Sequence, residues 1–265
     1  RFACAVVAQK IDIIVKYGAC TNYEKSRSSV SDFRLRKTSR SVSCPGGFFC
    51  GIKENAAKKR SVEDFLHILN RKRNRRDVMA TIVIDAGHGG ADTGAVFEGR
   101  QEKDDTLRLA LAVGKILEEN GQNVITNRTT HVYQTPFQNE TIGNEARAYF
   151  FVSIHRNSSP VAGQYSGVET LVYERSGIKE EMAENINREL EEAGFKNLGV
   201  KERPGLVVLR RTKMPAVLVE AGFINNGEDN RIFDENFEEV AQAIADGILQ
   251  TIYAQEVESY EYKKE

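Results

Sequence analysis

Three short apolar runs rich in β-branched residues constrain this chain more than any other feature: Thr81–Asp85, Phe150–Ile154 and Ala216–Val219. Each is too short for a typical helix and too continuous for a half-exposed strand. That is the pattern of a strand buried on both faces of a parallel sheet. Helix-length segments alternate with them. Leu107, Ala110, Leu111, Gly114 and Leu117 recur at helical spacing ahead of Gly121, which suits a C-terminal cap. Pro136–Ala148 reads as a helix with proline in its first turn. Ile178–Glu192 reads as an amphipathic helix ended by Gly194. Phe237–Tyr253 reads as a closing helix with Val240, Ile244, Ile248 and Ile252 on one face. Val124–Thr126, Gly167–Tyr173 and Leu206–Leu209 supply further strands, the second alternating as a half-exposed strand should. The expected fold is α/β: a mostly parallel twisted sheet with helices on both faces, in a single domain.

This pattern begins at Met79, and so does a change of charge. Residues 1–78 hold 18 Lys and Arg against 7 Asp and Glu, a balance of +11. From chain totals of 37 and 38, the remainder holds 19 against 31, a balance of −12. All four cysteines (Cys4, Cys20, Cys44, Cys50) lie in the basic part, none at the Cys-x2-Cys spacing of a structural zinc site. Residues 21–60 have too little apolar surface to offset the entropy of ordering them. The expected division is a basic, poorly ordered segment over 1–78, a working domain over 79–254 and a charged tail over 255–265. The basic run Arg71–Arg76 has no aromatic interleaving, so nucleic acid is not an expected partner. No apolar run approaches the ~18–20 residues of a membrane span, and none makes a clear signal peptide.

Open parallel sheets carry their sites beyond the carboxyl ends of strands. The first apolar run leads into Asp85-Ala86-Gly87-His88-Gly89-Gly90, whose glycines let the backbone turn sharply. The second ends in His155 and the third in Glu220. Glu102 opens the helix after the glycine loop and can swing back toward the strand ends. Alone, each has an ordinary reading: a loop histidine, a core histidine, a carboxylate on a helix dipole. Together they deliver two imidazoles and two carboxylates to one sheet edge. Two His and one Glu form a recurrent catalytic zinc set. A second carboxylate, at Glu220, can then move protons.

Thr81–Gly90, Glu102-Lys103-Asp104, Ser153–Asn157 and Pro215–Asn226 together resemble the zinc-dependent N-acetylmuramoyl-L-alanine amidases, the third amidase family of cell-wall and phage lytic enzymes. The resemblance runs from about Met79 to about Tyr253. It implies that His88, Glu102 and His155 bind Zn2+ and that Glu220 is the catalytic general base and acid. The implied substrate is peptidoglycan, cut by zinc-activated water between the lactyl group of N-acetylmuramic acid and L-alanine of the stem peptide. Arg156 stands where the family usually has a small residue, and it either meets a stem-peptide carboxylate or points to solvent. Asn157 either hydrogen-bonds substrate or caps the following loop. Residues 158–166 are too few for an occluding helix, so an open groove is expected. A peptidoglycan substrate implies a secreted or wall-associated protein, expected as a monomer, with remodelling, spore germination and lysis (autolysin or endolysin) all open as its role. A different acyl amino-acid hydrolase and a catalytically dead wall-binding module remain the rival readings.

Overall fold

The computed structural model describes residues 79–262; the expectations for the basic segment lie outside the described residues. The strands are β1 (Thr81–Ala86), β2 (Val96–Phe97), β3 (Arg100–Gln101), β4 (Asn123–Thr126), β5 (Phe150–Asn157), β6 (Val168–Val172), β7 (Asn197–Glu202) and β8 (Ala216–Phe223). The helices are α1 (Glu102–Glu119), α2 (Pro136–Ala146), α3 (Gly177–Glu192), α4 (Val207–Arg211), α5 (Gly227–Glu235) and α6 (Phe237–Tyr262). Six strands form one sheet in the order β4-β1-β5-β8-β6-β7, and β2 pairs with β3 as a separate hairpin. The expected α/β sheet with helices on both faces is present.

β4, β1, β5 and β8 run parallel, whereas β6 is antiparallel to β8 and parallel to β7. The reversal follows from the connection. β5 and β6 are joined by residues 158–167 without a helix, and a parallel return would need a longer crossover.

Alternation along the strands sorts side chains between two cores. Ile82, Ile84, Phe150, Val152, Ile154, Val217 and Val219 join the larger core with Leu109, Val113 and Leu117 of α1, Ile186 of α3 and Ile244 of α6. Val83, Phe151, Leu171 and Leu218 face the other way, onto Val208 and Leu209 of α4 and Ile142 of α2.

Two expectations need correction. Leu206–Leu209 is not a strand: Leu206 caps the short helix α4. A four-residue apolar run carries no periodicity that separates helix from strand. The strand in that region is β7, whose sequence Asn-Leu-Gly-Val-Lys-Glu is poor in β-formers. As an edge strand it exposes Lys201 and Glu202 to solvent. In addition, the closing helix expected over Phe237–Tyr253 continues through Tyr262.

Candidate metal centre and catalytic carboxylate

The site begins where β1 ends. Gly87 extends the ladder to β5 through its N–H on the Ile154 carbonyl (3.0 Å). The chain then turns through His88, whose φ of 63° is in the left-handed region that side chains seldom adopt. Gly87 must be glycine, because an added Cβ would lie 2.4 Å from the His155 ring. Gly94 has φ +62°, and a Cβ there would come within 2.6 Å of both Glu102 Oε2 and His88 Cδ2. The glycines thus make room for the site as much as they bend the chain.

The loop also starts the helix. α1 has no side-chain cap, but its first N–H groups, on Glu102 and Lys103, donate to the carbonyls of Ala95 (2.9 Å) and Thr93 (3.1 Å). Its acidic first turn (Glu102, Asp104, Asp105) suits the positive end of the helix dipole. Arg128 pins the turn from below, donating to the carbonyls of Ala86 (2.9 Å) and Gly87 (2.9 Å).

Three of the expected residues converge. Glu102 Oε1 lies 3.2 Å from His88 Nε2 and 3.0 Å from His155 Nδ1. The imidazole rings are 4.9 Å apart and nearly perpendicular. One ligand atom from each of the three residues lies within 4.8 Å of the others. A tetrahedral zinc with bonds of about 2.0–2.1 Å holds its ligands roughly 3.3 Å apart, so the set fits such an ion with small adjustments. The side chains of His88 and His155 keep 23% and 20% of their surface exposed, so solvent reaches the centre.

The surroundings orient each group. His88 Nδ1 lies 3.0 Å from Asp92 Oδ2; a proton there is donated to Asp92 and leaves the Nε2 lone pair toward the centre. Asp92 is itself held by the Gly94 N–H (3.0 Å). Glu102 Oε2 accepts from the Ala95 N–H (2.9 Å), and Oε1 accepts from the Arg156 N–H (3.0 Å). Behind them, buried Asp85 accepts from Ser153 and Asn127, each at 2.6 Å.

Electrostatics follow this packing. Burial opposes ionisation of Glu102, but hydrogen bonds and charge from His155 and His88 outweigh it and hold the carboxyl well below its usual range. Burial disfavours the His155 cation, yet Glu102 overcomes that and lifts it to about 9 in the metal-free protein. Glu220 differs from both. Burial pushes it up to about 7; His155 opposes the rise, while Glu102 and Glu169 add to it.

Glu220 pairs in register with His155 on β5 and with Glu169 on β6, so the three side chains share one face. Its Oε2 is buried without a hydrogen-bond partner in the protein. The strand continues to Phe223, so Glu220 sits within β8 rather than at its end.

Of the two expected substrate contacts, Arg156 is arranged otherwise. The Arg156 side chain is fully buried and ion-paired to Asp105 at 2.7 Å, so it neither meets substrate nor points to solvent. Strand alternation explains this, because residues 155 and 156 must face opposite sides. Asn157, half-buried, donates to Glu169 Oε1 (3.0 Å), and its Oδ1 accepts from the Ser158 N–H (2.8 Å), as the capping alternative expects. Asp92, Asp105, Arg128 and Glu169 were not anticipated. Only Asp92 left a readable sign, a carboxylate inside the glycine loop.

Comparison with known proteins agrees with this geometry. Residues 82–250 match the family described as N-acetylmuramoyl-L-alanine amidase. The chain is 39% identical over 155 residues to N-acetylmuramoyl-L-alanine amidase CwlM of Bacillus licheniformis, covering 57% of this chain and 59% of that protein. It is 36% identical over 178 residues to the sporulation-specific N-acetylmuramoyl-L-alanine amidase of Bacillus subtilis strain 168, covering 65% and 68%. The solved catalytic domain of CwlV, an amidase from Bacillus (Paenibacillus) polymyxa var. colistinus, superposes with a TM-score of 0.61 at 34% identity. That likeness covers 66% of this chain and 98% of the other. The chain belongs to the N-acetylmuramoyl-L-alanine amidase family.

Proposed function

We propose that the chain hydrolyses the amide between the lactyl group of N-acetylmuramic acid and L-alanine of the peptidoglycan stem peptide, with zinc held by His88, Glu102 and His155. The observation that carries this reading is Glu220. It is a buried carboxyl with an unpartnered oxygen, in register beside a ligand histidine. Such a group costs stability, and a catalytic task accounts for its presence. Zinc, when bound, supplies Lewis acidity and makes water more acidic. Glu220 takes a proton from the attacking water and passes it to the alanine nitrogen as the C–N bond breaks. The lactyl carbon keeps the water oxygen, and the peptide leaves as an amine. Burial raises this carboxyl in the metal-free protein, and a group so placed can both take and return a proton.

The substrate places this action at the cell wall, and no helix among the described residues is long and apolar enough to cross a membrane. The absence of a helix over residues 158–167 leaves room for a polymer.

The test is to incubate the full chain with purified peptidoglycan, with zinc and after chelation, and to identify new ends by mass spectrometry. New N-terminal L-alanine with peptide-free muramic acid, lost on chelation, supports the reading. Zinc bound at one ion per chain without cleavage points instead to another acyl substrate. Glu220→Ala is expected to keep zinc and lose activity by about 10²–10⁴-fold. A near-normal rate in that variant removes Glu220 from the mechanism.

A further inference from the structure

We propose that Arg156 is a positioning residue for the metal centre, a buried strut that sets its affinity from the opposite face of the sheet. The proposal rests on the zinc reading above.

Arg156 grips the first turn of α1 at two points. Its backbone N–H donates to Glu102 Oε1 (3.0 Å), the same oxygen that both histidine nitrogens approach. Its Nη1 donates to Asp105 Oδ2 (2.7 Å), three residues along the same helix. Asp105 is saturated from the other side by Arg100, through Nε to Oδ2 (2.7 Å) and Nη2 to Oδ1 (3.1 Å). The helix start is therefore held in a fixed rotation relative to β5, and that rotation aims Glu102.

The same guanidinium reaches the strand of the catalytic carboxylate. Between His155↔Glu220 and Asn157↔Phe223 the register shifts, because β8 carries one more residue than β5. The bulge includes Gly222 at φ +83°. Arg156 Nε donates to the Gly222 carbonyl (3.3 Å), and Nη2 donates to Asn230 Oδ1 (2.7 Å) on α5. The guanidinium lies 4.1 Å from the Phe233 ring centroid.

One side chain thus fastens the elements that carry Glu102, His155 and Glu220. The planar fork matters here. Its three nitrogens meet three acceptors on three elements, which a lysine ammonium on a single flexible stem cannot do. Outer partners of metal ligands commonly govern affinity by about 10–100-fold.

The test uses the full chain and measures zinc affinity by competition with a chromophoric chelator, at a temperature where circular dichroism shows each variant folded. Arg156→Met is expected to bind zinc about 10–100-fold more weakly than wild type. Arg156→Lys, which keeps the charge, is expected to weaken it too, and it decides the matter by the same criterion if the Met variant does not fold. Leu190→Ala, a core truncation on α3, lowers stability and is expected to leave zinc affinity unchanged. Wild-type affinity in a folded Arg156 variant overturns the proposal, because the residue would then be structural only. Equal weakening in Leu190→Ala overturns it as well, because the effect would then be general loosening. Failure of the wild type to bind zinc overturns the zinc reading itself, and is distinct from both.

Discussion

Among the described residues, one face of the sheet buries 32 apolar residues in a continuous core under α1, α3 and α6, while the other gathers 8 under the short helices α2 and α4. The polar row Asp85, Ser153, His155, Glu220 and Glu169 belongs to the second face, by strand parity. A thick core holds the strands rigid, and a thin one leaves their carboxyl ends accessible. The same neighbours in sequence are divided accordingly: His155 faces the accessible side and Arg156 the core side. Arg156 apart, stability and chemistry are thus drawn from alternate residues of the same strands, and apolar and polar substitutions on the two faces should separate them.

The largest expected effect is on the thick face. Ile244 is fully buried on α6 within the larger core. Ile244→Ala removes methyl groups and leaves a cavity, at a cost of about 2–5 kcal/mol. The urea midpoint should fall accordingly, while the folded variant keeps its zinc affinity. A change in zinc affinity would mean that the apolar core itself, beyond Arg156, is coupled to the centre.

On the thin face the sign reverses. Burial raises Glu220 from 4.5 to about 7, so between those pH values the native carboxyl keeps a proton that the unfolded chain has released. The native state then binds more protons, and stability falls as pH rises through that window. In chelated protein, Glu220→Gln should match wild type in stability at pH 4. Above pH 7 it should be more stable, by on the order of 3 kcal/mol. Urea unfolding at pH 4 and pH 8 reads this directly. An equal gap at both pH values would assign the effect to packing rather than ionisation.

The thick face was largely legible in the sequence, and the thin face only at its reactive tips. Continuous apolar runs and the 3.6-residue spacing of Val240, Ile244, Ile248 and Ile252 announce burial directly. His88, His155 and Glu220 were readable because each follows or ends such a run. Glu169 was not, because it sits in a strand whose alternation is ordinary and gains its meaning only from pairing with Glu220. Arg156 misleads for a related reason: a charged residue beside a ligand suggests substrate, and only the placement of Asp105 reveals a buried partner. The edge strand β7 carries no strand signal because edge strands are polar, and α4 reads as a strand because four apolar residues fit either geometry.

Asp92 tests whether the accessible face has a support of its own. It holds His88 at Nδ1 and is anchored by the Gly94 N–H, entirely within the glycine loop. Asp92→Asn keeps the shape and removes the charge, and zinc affinity should fall by about 10–100-fold with little change in the melting temperature of the chelated protein. An unchanged affinity would leave the left-handed backbone at His88 as the sole device that orients the ring.

The smallest expected effect lies in α2, where the thin face has least to bury. This eleven-residue helix contributes only Asn139, Glu140 and Gly143 as buried positions. A helix of that length is marginal without tertiary support, so its ends matter more than usual. Thr135 forms a capping box there. Its hydroxyl accepts from the Gln138 N–H (3.2 Å), and Gln138 Oε1 accepts from the Thr135 N–H (2.8 Å). Thr135→Ala should cost about 1 kcal/mol. The loss should appear as faster amide exchange confined to α2, since α2 packs on the smaller core and shares little with α3 or α6. If protection falls across the whole domain instead, α2 unfolds together with the larger core, and the thin face is energetically part of the thick one despite its sparse packing.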